Sequence, residues 1–69
     1  MATFGKIFEM AKEVIEARPD LYAAPSANGA DMQTAENLQE LASDYTATEG
    51  GDIEDNLQQV HEAYRAVYG

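Results

Sequence analysis

His61 is the only histidine, and the chain has no cysteine. A catalytic histidine needs a nucleophile and an orienting group beside it. A zinc-binding one needs two or three further ligands. On a helix, Asp55 or Gln58 can share a flank with His61, which leaves a zinc set incomplete. The segment Val60-His61-Glu62 also lacks the second histidine of a zinc-protease helix. The expectation is therefore a flank histidine touching solvent or an interface, where its charge change near neutrality can make a contact pH-sensitive.

Asp44 to Asp55 spans twelve residues, the length of a calcium-binding loop. The signature fails at two positions: the required glycine is Glu49, and the closing glutamate is Asp55. Gly29-Ala30-Asp31-Met32 resembles the Gly-Ala-Asp-Ser-Leu segment of acyl carrier proteins over its first three residues. The serine that would carry the prosthetic group is Met32, so that activity does not transfer. Ser26, Thr34, Ser43, Thr46 and Thr48 offer hydroxyls with no activating partner in view. Glu9, Glu13 and Glu16 lie among bases on a wet face, and no glycine pattern cradles a phosphate. A chain of 69 residues is also small for a ligand cavity of the usual ~300 Å³ or more. No enzymatic activity, cofactor or metal is expected.

The elements that carry these residues are helical. Phe4, Ile7, Phe8, Ala11, Val14, Ile15 and Arg18 recur at steps of three and four, which predicts an amphipathic helix over 3–18. Lys6–Glu9, Glu9–Lys12 and Lys12–Glu16 can pair on its polar side. Pro19 ends it. Residues 19–30, with two prolines, Ser26 and Asn28-Gly29, predict a long loop that Leu21 and Tyr22 can anchor. A second helix is expected over 31–46, capped by Asp31 or Thr34, with Ala35, Leu38, Leu41, Ala42 and Tyr45 as its stripe. Met32 falls off that stripe. After a loop over 46–51 with Gly50-Gly51 as its flexible element, a third helix is expected over 52–68, capped by Asp52 with Asp55 completing a capping-box variant. Its stripe is Ile53, Leu57, Val60, Tyr64 and Val67. Three narrow stripes predict one all-α domain over 1–69, a small three-helix bundle with a long loop between helices 1 and 2.

Composition sets the partners. Pro19 to Tyr64 holds ten carboxylates and no Lys or Arg, and the whole chain carries −9. Such a surface excludes direct binding to a nucleic-acid backbone, which needs clustered cations, and to an anionic membrane. Leu, Ile, Val and Phe together number only twelve, as does Ala. A core this lean in a short, self-repelling chain is marginal alone. No apolar run approaches the ~18 residues of a membrane span. The periodic, Glu-bearing start does not read as a signal peptide, so an intracellular or virion-associated location is expected.

These features point to a protein that binds other proteins, or a homo-oligomer. The acidic patch expected to face outward comprises Asp31, Glu36, Glu40, Asp44 and Glu49, continued by Asp52, Glu54 and Asp55. Candidate interface residues with apolar bodies are Phe4, Phe8, Leu21, Tyr22, Tyr64 and Tyr68. The preferred expectation is a structural or accessory subunit of a larger assembly, such as a virion or capsid. The alternatives are an acidic inhibitor that mimics nucleic acid in a basic groove and an accessory subunit of an enzyme.

Overall fold

The computed structural model describes residues 5–69. Among them the chain forms three helices and no strand: α1 (Lys6–Ala17), α2 (Met32–Glu49) and α3 (Ile53–Tyr68). The all-α class is therefore observed. Packing is unequal. α1 and α2 each lie along α3, and they meet each other only marginally.

The core shows how so few large side chains suffice. Each helix contributes one fully buried large residue, namely Ile15, Leu38 and Val60. Each also contributes one alanine with no exposed surface, namely Ala11, Ala42 and Ala63. The alanine sits three or four positions from the large residue, so both lie on one face. A methyl group at the contact lets two backbones approach closely, and density is kept without bulk. The radius of gyration is 11.3 Å, matching the ~11 Å expected of a compact chain of this length. Composition warned of disorder, and close helix approach is what offsets it.

Local chemistry sets the helix ends. Ala17 is the last residue of α1 because Pro19 disfavours helical geometry at Arg18. The Arg18 N–H still bonds the Val14 carbonyl, at 3.0 Å. The start of the expected first helix lies outside the described residues, as does Phe4. α2 begins after Asp31, whose Oδ1 accepts the Thr34 N–H at 2.7 Å, so Asp31 is the cap and Thr34 is buried.

Five expectations need correction. Residues 46–49 are helical rather than loop, because nothing between Ala42 and Glu49 breaks a helix. α2 stops at Gly50, where φ is +88°, a conformation that glycine adopts without steric cost. Asp52 occupies the cap position of α3, but its side chain makes no capping hydrogen bond. The α3 stripe is rotated: Asn56 is buried and Ile53 is exposed. Arg18, placed on the apolar stripe of α1, is exposed and bound to Asp20. That bidentate contact, at 3.1 and 2.8 Å, is the one ion pair among the described residues, so the three Lys–Glu pairs expected on α1 do not form.

Candidate functional site

Residues 18–31 run between α1 and α2 and bring backbone against the other helices. Buried peptide groups need partners, and side chains from two helices supply them. Asn37 Nδ2 on α2 donates to the Leu21 carbonyl at 2.8 Å. From α3, the Tyr68 hydroxyl donates to the Tyr22 carbonyl and the Tyr64 hydroxyl to the Ala23 carbonyl. Three consecutive carbonyls are thus held by three side chains. The Tyr64 and Tyr68 rings meet edge to face, with centroids 5.2 Å apart. Further along, Ser26 and Gly29 exchange two backbone hydrogen bonds of 2.9 Å. Ser26 is the first residue of that turn and Gly29, at φ +94°, the fourth, which suits a type I turn.

This clasp places the candidate interface residues. Tyr22 and Tyr64 are buried in the core, while Phe8, Leu21 and Tyr68 are half-buried against it. Burial pushes the Tyr22 and Tyr64 hydroxyls above the usual tyrosine range. For Tyr64 the neighbouring Tyr68 and Asp31 add to that, and for Tyr22 Glu40 and Asp44 add while Arg18 opposes.

The eight residues of the acidic patch are all exposed. They do not form one cluster. Glu36, Glu40 and Asp44 follow one another at four-residue steps along α2, and Glu36, Gln39, Glu40 and Ser43 line a shallow depression there. Glu49, Asp52, Glu54 and Asp55 gather near the α2–α3 turn, and Asp31 stands at the start of α2. The Asp31 carboxyl is held below its ordinary range, first by the Thr34 backbone N–H and then by the Thr34 side chain. The hydrogen bond from Arg18 does the same for Asp20. No three His, Asp or Glu side chains among the described residues are grouped to hold a metal ion. Asp44 through Glu49 belong to α2, so that stretch is no chelating loop. No helix among the described residues is long and apolar enough to cross a membrane.

Two grooves flank a ridge on α3 formed by His61 and Arg65, which line both. The outer one, of about 390 Å³, is lined by Glu54, Leu57, Gln58 and Glu62 besides the ridge. Gln58 and His61 therefore share it, and Asp55 is not part of its wall. The inner groove, also about 390 Å³, is apolar: Pro25, Ala30, Ala35, Leu38, Tyr64 and Tyr68 wall it, and Gly29 and Gly69 also line it. The expectation that so short a chain holds no groove of this size is corrected. The 18–31 connection supplies the missing wall.

Sequence reasoning missed Asn56. Its Nδ2 donates to Thr46 Oγ1 at 2.8 Å and to the Gly50 carbonyl at 3.3 Å. The Thr46 hydroxyl in turn donates to the Ala42 carbonyl at 2.8 Å. An asparagine in step with Val60 and Ala63 was the available signal. The chain matches no protein-family model, no curated protein and no solved structure.

Proposed function

We propose that this protein acts without catalysis, by binding other proteins, as a structural or accessory subunit of a larger assembly such as a virion or capsid. In this reading it is a small three-helix bundle whose long 18–31 connection serves as a clasped strap. The observation that carries the reading is the state of the carboxylates: from Asp31 to Glu62 none has an ion-pair partner among the described residues. An uncompensated acidic surface accelerates and selects encounter with a basic partner. The small core supports the same reading, since association adds buried area that a short chain lacks. Phe8, Leu21 and Tyr68 supply the apolar part of the contact, and Glu36, Glu40 and Asp44 the charged part.

The second reading, a nucleic-acid mimic in a basic groove, draws on the regular row Glu36–Glu40–Asp44. Salt separates the two. Tagged protein recovered from its source should keep a stoichiometric partner at moderate salt if it is a structural subunit. A mimic should lose its partner steeply as salt rises, and nucleic acid should displace it. Recovery of the chain alone at every salt concentration would contradict both.

A further inference from the structure

The inner groove combines three features that composition alone would not bring together. It is walled by apolar side chains, it has a volume of about 390 Å³, and its rim carries His61 and Arg65. Arg65 is the only Lys or Arg after Arg18. Of the groups lining the groove, the Tyr64 and Tyr68 hydroxyls already donate to the loop carbonyls. The Gly29 and Gly69 amides donate to Ser26 and Arg65 carbonyls. Among the described residues the side chains of His61 and Arg65 have no hydrogen-bond or ion-pair partner. In a chain of −9, the one cation of the last fifty-one residues thus stands beside an apolar groove with its donors free. Met32, 78% exposed, lies three positions before Ala35 on α2, and so on the same helical flank as the groove wall.

From this we infer that the inner groove is a binding site for a small hydrophobic monocarboxylate, its apolar body against Ala35, Leu38, Tyr64 and Tyr68 and its carboxylate on the Arg65 guanidinium with His61 beside it. Charge complementarity at the rim decides the class. A guanidinium fork matches a carboxylate with two parallel hydrogen bonds. The volume sits at the low end of ligand sites, which limits the ligand to about a dozen heavy atoms. The Asp31 carboxylate at the start of α2 opposes an anion, as do Glu54 and Glu62, which line the outer groove with the same His61 and Arg65, so binding is weak. This site lies on a different face from the Glu36–Glu40–Asp44 row; it shares Tyr68 with the apolar contact proposed above, and titration of the isolated chain reads its occupancy without that partner.

The test is an NMR titration of the ¹⁵N-labelled full chain at about 0.15 M salt, where charges more than ~8 Å apart are largely screened. The probes are 4-phenylbutyrate, its neutral amide and 4-phenylbutylamine. Saturable shifts centred on Ala30, Ala35, Leu38, Tyr64 and Tyr68 are expected with the carboxylate. The amide and the amine should bind at least fivefold more weakly, as should the carboxylate to Arg65→Gln, given the usual strength of a charge-assisted hydrogen bond. Arg65 is exposed and unpaired, so the variant keeps its helicity, and the comparison among ligands needs no variant. Shifts scattered over the chain, equal affinity for the amine, or an unchanged affinity in Arg65→Gln would overturn the inference. So would groove resonances that move on dilution of the protein alone, which would place a second copy there.

Discussion

The Tyr64 hydroxyl donates to the carbonyl of Ala23, 41 residues earlier in the chain. One side chain of α3 thereby holds the strap that joins α1 to α2. Removing it leaves a carbonyl that folding has taken from water, and such a loss costs ~1–3 kcal/mol. Tyr64→Phe should destabilise the domain by about that amount, as should Tyr68→Phe at the Tyr22 carbonyl. Urea unfolding would measure the loss. Hydrogen exchange should show residues 21–24 opening before the helices do. An unchanged midpoint in both variants would refute the clasp.

Alkaline pH should break the same clasp. Both Tyr22 and Tyr64 have hydroxyls raised above the ordinary range by burial. A group whose folded value is raised contributes stability that is whole below its unfolded value, ~10 for tyrosine. That contribution is lost as pH climbs through the folded values. Part of the tyrosinate absorbance should therefore appear only as helical circular dichroism is lost. Full ionisation with helicity intact would contradict the burial of these two rings.

The α2–α3 turn depends on Asn56 and Gly51. Gly51 has φ +101°, and a Cβ built there would stand 3.3 Å from Asn56 Nδ2. Gly51→Ala should destabilise by about 1 kcal/mol or more, since alanine cannot take that φ without strain. Asn56→Ala should cost about 1–3 kcal/mol through the Thr46 and Gly50 partners it abandons. The double variant should lose less than the sum, because the clash disappears with the asparagine. Strict additivity in a double-mutant cycle would argue that the two do not touch.

The core leaves little reserve. Leu38→Ala removes one of its three fully buried large side chains, at a cost of ~2–5 kcal/mol. A domain of this length holds only ~3–10 kcal/mol in all. The variant should be largely unfolded at low salt and recover helicity as salt screens the carboxylates. Wild-type helicity at low salt in this variant would show that the core is not the main source of stability.

Three helices were legible because each apolar stripe repeats at helical spacing and because Pro19 and Asp31 mark boundaries by their own local chemistry. The rotation of α3 was not. Ile53 fits the stripe by type, yet the position beside Thr46 is filled by Asn56, whose amide meets a hydroxyl on the neighbouring helix. Hydrophobicity cannot announce a polar residue that is buried because its partner is across a turn. Residues 46–49 read as loop from their threonines and nearby glycines, whereas the Thr46 hydroxyl bonds back to Ala42 and stays within the helix. The tyrosines were visible as residues with an apolar body and a polar tip. Which carbonyls they hold depends on the path of the strap, which no local pattern encodes. The inner groove was invisible for the same reason, since its wall exists only once the clasp is closed.

The claim that this chain works within an assembly is tested most directly by the native mass of the protein in extracts of its source at moderate salt. The account predicts that it migrates in a larger, stoichiometric complex. Migration as a 7.5 kDa monomer would contradict it.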